Sequence, residues 1–396
     1  MTRNNRLNVL IVGATVAGLT TAYWLRRYGH RVRLIERAVP SPTPGFMIDF
    51  YGPGYSVAEE MRIVPDLARL HREIPQWSFE TMAGMPLFTL PYATVRRRTF
   101  GYRHFNVLRS DLERLLLTLV RHDVDFRPGV ALRTLEACEG CMAATLSDGT
   151  PLVCDLVVGA GGVHSPTRHL LFGDGGSWEH YLGLDAAAFS VDDPGIRRAV
   201  GERLRTLSGP GRQATVYPTA GGKVGVFFIH ERARTLHDRS APSVVQELRR
   251  VYGDFGDVVR PLLSRVEEAP DLFYDAVAQV RLPQWSLGRV VLVGDACHCV
   301  SALGAQGASL EMAGARSLVQ ALRLTGGDIE PALRFYERIM RPAVSRAQAA
   351  GQRIAGWVAP RSGVRLAARD LALRAAVWPL ASSVMRRMVG ATEAIH

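Results

Sequence analysis

Between an apolar run, Leu7 to Val12, and a helix-patterned stretch stands Gly13-Ala14-Thr15-Val16-Ala17-Gly18. The continuous apolar run reads as a strand buried on both faces, as in a parallel sheet. Val16, Leu19, Ala22, Trp24 and Leu25 then recur at helical spacing to about Tyr28, Gly29 ends the helix, and Val32 to Glu36 forms the next strand. The unit is β-α-β, and its turn is a G-x-G-x-x-G pattern with Thr15 in the second glycine position. Such a turn needs Gly13 for the sharp bend and Gly18 for close helix packing. Thr15, Val16 and Ala17 lie between them, where the backbone approaches a pyrophosphate resting on the helix N-terminus. Thr15 brings a β-branch, but also a hydroxyl that can bond a phosphate. Glu36, about 20 residues on, is placed to accept bonds from ribose hydroxyls, and Arg37 to lie along an adenine or a phosphate. The segment is expected to bind a dinucleotide.

The chain has 396 residues, of which 47% are hydrophobic and 21% charged, enough for a full core over two or three structural units. No stretch reaches the roughly 20 uncharged apolar residues of a membrane span. The polar start with Arg3 and Arg6 has no signal-peptide core, so a cytoplasmic protein is expected. Net charge is +11 and Lys223 is the only lysine among 48 basic residues. The arginines are dispersed, with Arg96, Arg97 and Arg98 the longest run, and no nucleic-acid-reading motif accompanies them. Five cysteines, an odd number, argue against a disulfide framework. Cys138 and Cys141 flank a Glu139-Gly140 turn between two alternating strands, so they are expected to be ordinary thiols. No partners are spaced for zinc, and no metal site is expected.

Further along, Ser110 and Asp111 precede a helix over Leu112 to Val120. Val130 to Leu135 and Ala143 to Leu146 read as strands, and Leu152 to Val158 as one strand entering a second glycine cluster. From about Ser177 to Trp285 the chain turns to β-runs such as Ala214 to Tyr217 and Lys223 to Ile229, interrupted by a helix at Val244 to Tyr252. Arg289 to Val293 is a third buried strand, followed by a helix near Ser309 to Leu324 and helical pattern from Pro331 onward. The expected fold is α/β: a Rossmann-like dinucleotide-binding domain with an inserted β-sheet domain and C-terminal helices. The expected divisions are 1–76, 101–176 and 287–340 for the first, 77–100 and 177–286 for the second, and 341–396 for the helices.

Two later motifs carry a family resemblance. Gly159-Ala160-Gly161-Gly162-Val163-His164-Ser165-Pro166-Thr167-Arg168 resembles the GADGxxSxxR segment of flavoprotein aromatic hydroxylases. Gly294-Asp295-Ala296-Cys297-His298 resembles their GDAAH segment, and Ala302-Leu303-Gly304-Ala305-Gln306-Gly307-Ala308 the P-x-x-G-x-G loop that follows. Arg109 to Leu112 and Phe335 to Pro342 extend the likeness, which covers roughly Leu7 to Gln348. The chain thus resembles the single-component FAD-dependent monooxygenases related to p-hydroxybenzoate hydroxylase and the tetracycline-inactivating enzymes. The resemblance implies that the dinucleotide is FAD and that Asp295 bonds a ribityl hydroxyl. Arg109 would reach the ribityl or diphosphate portion, and Asp49 would lie beside the flavin. Gly304, Gln306, Gly307 and Ala308 would place helix N-terminal amides at the pyrimidine edge, where negative charge develops on reduction. Gly161 stands where the family usually has Asp, and Ala302 where it usually has Pro.

The function so implied is oxygen insertion into an aromatic small molecule, a polycyclic phenol or polyketide-type natural product. NAD(P)H is the expected co-substrate, molecular oxygen the oxidant, and a flavin 4a-hydroperoxide the oxygen donor. Baeyer–Villiger insertion by the same family, or a flavoprotein that does not oxygenate, are the alternatives. His104, Tyr217 and His230 are the candidates for deprotonating a phenol. Trp77, Phe79, Met82, Met85, Phe88, Phe105, Tyr217, Phe227 and Phe228 are expected to supply the apolar surface for a flat substrate. No membrane span or nucleic-acid partner is expected, and the protein is expected to be a monomer or homodimer.

Overall fold

The computed structural model describes residues 6–39, 45–173, 178–231, 240–303 and 306–375. Its first unit is built on a six-stranded sheet. The order is Ser286–Leu287, Val290–Leu292, Leu156–Gly159, Asn8–Val12, Arg31–Glu36 and Asp125–Pro128. Every neighbouring pair is parallel except the first. Both faces are covered, which is why the central strands read as unbroken apolar runs. Val9 and Ile11 face a core shared with the helices Val16–Arg27, Arg109–Val120, Gly307–Leu324 and Ile329–Val358. Leu10 and Val12 face a three-stranded antiparallel layer of Leu132–Cys138, Cys141–Leu146 and Pro151–Cys154.

The second unit is a seven-stranded sheet. Its order is Phe273–Val280, Glu179–Val191, Val224–Glu231, Arg212–Pro218, Arg203–Gly209, Gln76–Thr81 and Pro86–Leu90. One pairing is parallel, Arg203–Gly209 with Gln76–Thr81, because these strands arrive from segments far apart in sequence. One face of the sheet packs Ala187, Phe189, Leu207, Ala214, Val216 and Phe228 against the helix Ala241–Tyr252 and its neighbours. The other face turns toward the first unit. A two-stranded ladder, Met47–Tyr51 with His104–Leu108, sits between them. The α/β architecture with an inserted β-sheet domain and C-terminal helices is therefore the one observed.

Local details differ from the sequence reading. Leu152 to Val158 is two strands in two sheets, broken at Asp155, whose carboxylate accepts the backbone N–H of Asn8 at 2.7 Å and whose own N–H donates to Asn8 O. The hydrophobicity of both pieces hid the break, since each is buried for a different reason. The helix expected from Leu112 begins at Arg109, and Ile329–Val358 continues through Pro342, so the 340/341 division lies inside one helix. Cys138 and Cys141 form a disulfide across the turn they were expected to flank as free thiols, with Cα atoms 5.0 Å apart. A two-residue hairpin turn brings facing strand residues to disulfide range. Cys154, Cys297 and Cys299 are buried free thiols. Among the described residues no helix is long and apolar enough to cross a membrane, and no group of three metal-ligating side chains gathers.

Candidate functional site

Gly13 ends the first strand with φ +112, and a Cβ there would lie 2.5 Å from Ala160 O. Only glycine fits, because both the dihedral and the neighbouring backbone refuse a side chain. Thr15 needs no such freedom. It is the N-cap of the Val16–Arg27 helix in extended conformation; its hydroxyl accepts from Gly18 N–H and donates to Ala160 O at 2.9 Å. The departure from glycine is thus a helix cap tied to the second glycine cluster. Val16 and Ala17 are fully buried and Gly18 packs against Gly13 and Ala160. Glu36 accepts from Ala14 N–H and Ala38 N–H, both at 2.8 Å, which fixes its carboxylate beside the turn.

From this turn a cavity of about 380 Å³ runs through the molecule. At one end it is walled by Glu36, Arg37 and Val130 to Leu132; its middle passes Gly13, Thr15, Arg109 and Gly161. At the far end stand Asp295, Ala302, Gly307 and Ala308, with Phe46, Asp49 and Phe273. The second unit's sheet contributes Ala186, Phe273, Asp275, Ala276 and Ala278 to the wall. Gly294 reaches φ +64, where a Cβ would come within 2.6 Å of Ala17 Cβ, so the strand-to-helix turn carrying Asp295 lies directly against the first helix. Gln306 is buried next to Tyr51 and does not wall the cavity. Gly304 lies outside the described residues.

Behind the cavity wall is a charge cluster only partly foreseen. Arg109 donates to Glu311 at 2.7 Å and sits 3.2 Å from Glu113, and Ala17 N–H donates to Glu311 at 3.3 Å. Glu311 therefore caps the first turn of one helix while fixing the guanidinium that a second helix supplies. Asp295 shares this surrounding. Burial, then the charge of Glu311, push its carboxyl up to about 7 despite Arg109. Glu311 stands one helical turn past Gly307, and no motif in the sequence marks it.

Asp49 faces the cavity from the Met47–Tyr51 strand. It accepts from the Tyr92 hydroxyl at 2.9 Å, pairs with Arg96, and meets His104 Nε2 at 3.0 Å. Burial alone would raise its pKa; Arg96, His104 and Tyr92 outweigh that and hold it below the ordinary carboxylate range. Arg96 in turn lies over the Tyr92 and Phe100 rings. Of the three candidate bases, only His104 is at the site, through Asp49. Tyr217 is buried and accepts Met47 N–H at 3.0 Å, stapling the ladder to the sheet, and burial raises its pKa. His230 is buried beside Tyr252 on the sheet's other face.

The aromatic set divides in the same way. Phe228 and Met82 belong to the core on the far face, Phe105 to the core of the first unit, and Met85 is exposed. Phe79 stacks on Phe88 in the edge strands. Trp77 and Phe227 lie on the face toward the first unit, and Phe79 shares it, its ring centroid 4.7 Å from that of Trp77. Period-two alternation was readable, but which phase faced the site was not. Phe46 and Phe273, which no motif marks, join Phe227 with ring centroids 5.2 and 5.6 Å from Phe46. His164, in the second glycine cluster, lies at the cavity mouth bonded to Asp275 at 2.8 Å.

A family profile described as FAD binding domain matches residues 93–349. An uncharacterized protein of Mycobacterium tuberculosis is 30% identical over 344 residues, covering 86% of this chain and 91% of that one. The 3-amino-4-hydroxybenzoate 2-monooxygenase of Streptomyces cremeus is 28% identical over 384 residues, covering 94% and 93%. In fold, the tetracycline destructase Tet(55) superposes with TM-score 0.82 at 24% identity, covering 98% of both chains. HpxO of Klebsiella pneumoniae, complexed with FAD and uric acid, superposes with TM-score 0.80 at 21% identity, covering 97% of this chain and 96% of that one.

Proposed function

The chain belongs to the FAD binding domain family of flavin-dependent, aromatic-hydroxylase-type monooxygenases, and from that premise we propose that it hydroxylates a flat polycyclic phenol or polyketide-type natural product, using NAD(P)H and molecular oxygen. The observation that supports this reading best is one cavity that brings together the Gly13 turn, the Gly161 cluster and the Asp295 to Ala308 segment, far apart in sequence, and is closed on one side by the second unit's sheet.

The residues present fit FAD. Two glycines whose Cβ positions are filled by backbone or by a packed methyl bring the chain close to the cavity at the turn and at Asp295. Glu36 and Arg37 would hold the adenosine end, the turn and Arg109 the diphosphate, Asp295 the ribityl chain, and Gly307 and Ala308 the ring's polar edge. When bound, the flavin supplies the two-electron chemistry that activates oxygen. The chain's own part is to bind, orient and dry the site. Phe46, Phe227 and Phe273 form an apolar wall that excludes water from the reacting ring. Asp49, held ionised by Arg96, is too weak a base to take a phenol proton; it acts as a fixed acceptor, kept in place by His104 and Tyr92.

The test is to purify the protein, record a flavin spectrum, and follow NADPH and NADH oxidation with oxygen uptake in the presence of polycyclic phenols. Label from labelled oxygen on a ring carbon supports hydroxylation. Label inside a new ester means Baeyer–Villiger insertion, and a protein without flavin or oxygen uptake overturns the reading.

A further inference from the structure

The helix Gly363–Ala375 is exposed along most of its length, and Arg369 is its one buried residue. Arg369 is 6% exposed and points onto the sheet face turned toward the first unit. It donates to Gln213 Oε1, to Ser208 Oγ and to Val358 O, each at 3.1 Å, and to its neighbour Asp370 at 2.7 Å. An arginine carries donors only, so the Gln213 oxygen must face it and the Gln213 amide nitrogen must face the other way. That nitrogen donates to Thr215 Oγ1 at 3.2 Å. Thr215 pairs across the ladder with Thr206, their hydroxyl oxygens 3.2 Å apart, and Trp77 Nε1 donates to Thr206 Oγ1 at 2.8 Å.

Counting hydroxyl hydrogens along this chain leaves one over. Trp77 and Gln213 each donate into one hydroxyl oxygen, and a single hydroxyl hydrogen joins the two threonines. Thr206 is fully buried, so its hydrogen belongs in that bond; leaving it unmade would strand a buried donor. The Thr215 hydrogen is then free of any partner among the described residues. Thr215 is half-buried and lies across from Phe227, whose ring meets Phe46 at the cavity wall.

We infer that the Thr215 hydroxyl is a substrate-recognition donor for a ring carbonyl oxygen, and that Arg369 is a positioning residue that sets its direction through Gln213. The substrate lies flat on Phe227 with its carbonyl over the threonine pair. The chain of aligned bonds polarises the terminal hydroxyl. Without Arg369 the Gln213 amide is free to turn, its oxygen takes the Thr215 hydrogen, and the donor is lost. The inference rests on the flat-phenol reading above.

The experiment uses the FAD-loaded protein and two probes that differ in their ring carbonyls, 2-hydroxyanthraquinone and 2-anthrol, with binding read as a perturbation of the flavin absorbance. Wild type should prefer the quinone about tenfold, the worth of one hydrogen bond to a recognising donor. Thr215→Ser should keep the preference, and Thr215→Val should abolish it. Arg369→Met should abolish it too. Because that change can also loosen the helix, Gln213→Glu is the cleaner test: it retains a partner for Arg369 but accepts the Thr215 hydrogen, and should erase the preference with an unchanged melting temperature. Equal binding of both probes by wild type, or a preference that survives Thr215→Val and Gln213→Glu, overturns the subsite and leaves the flat-phenol reading standing. Binding of neither probe by wild type sinks that reading and the subsite with it.

Discussion

At the scale of single residues, the glycine turn separates positions that motif matching treats alike. Gly13 has φ +112 and a backbone oxygen where a Cβ would go, whereas Thr15 is extended and uses its side chain as a cap. Gly13→Ala should destabilise the protein by at least about 2 kcal/mol and abolish FAD retention. Thr15→Ala should cost only about 1 kcal/mol, the loss of an N-cap. Denaturant midpoints and flavin content of the two variants check this, and equal effects would contradict it. Asp295 should show opposite signs for stability and binding. Its folded pKa, about 7, lies above that of an unfolded aspartate, so its ionisation weakens the FAD-free fold as pH rises from about 4 to 7 and the penalty then stays constant. Asp295→Asn should therefore leave the FAD-free protein more stable than wild type at pH 8. It should also weaken FAD binding by about 10- to 100-fold, the worth of a charge-assisted hydrogen bond. An FAD titration by fluorescence and a thermal melt at pH 5 and pH 8 measure both; a variant that binds FAD as tightly as wild type would remove Asp295 from the site.

Elements were legible where one cause dominated. The buried parallel strands, the amphipathic helices and the glycine turns announced themselves because apolar periodicity and backbone need coincide in them. Leu152 to Val158 did not, since two different burials produce one apolar run. Tyr217 and His230 show the same limit: alternation says that neighbouring residues face opposite ways, but only the packed helix Ala241–Tyr252 shows which way is the core. Glu311 and Arg96 are ordinary polar positions until the fold brings them to Arg109 and Asp49. The Cys138–Cys141 hairpin was read correctly as strand, turn and strand while its bond was missed, because parity arguments about cysteines ignore local geometry. That bond closes a very short loop, so it constrains the unfolded chain weakly. Reduction, or Cys138→Ser, should lower stability by no more than about 2 kcal/mol, and FAD content should not change, the disulfide lying outside the cavity lining. Loss of flavin on reduction would show that the hairpin supports the cavity.

At the scale of the whole molecule, the cavity exists only while the two units stay together, and polar contacts tie them at its mouth. His164 follows the second glycine cluster of the first unit; its partners Asp275 and Glu179 sit on the edge strand of the second unit's sheet and on the strand beside it. Arg168, buried beneath, donates to the same Glu179 at 2.6 Å. The bond to Asp275, then that to Glu179, raise the His164 pKa to about 9. Because the folded value exceeds the unfolded one of about 6.5, the bridge contributes its full stability below pH 6.5 and loses it as pH rises through 9. The side chain is 52% exposed, so solvent screens the pair and the effect is modest in size but definite in sign. His164→Gln should melt below wild type at pH 6, and the gap should close by pH 10. Salt should narrow the gap at pH 6, as it does for any exposed pair. Melting curves of the two proteins across that range decide it: a difference that stays constant from pH 6 to pH 10 would mean that His164 packs between the units without carrying charge between them.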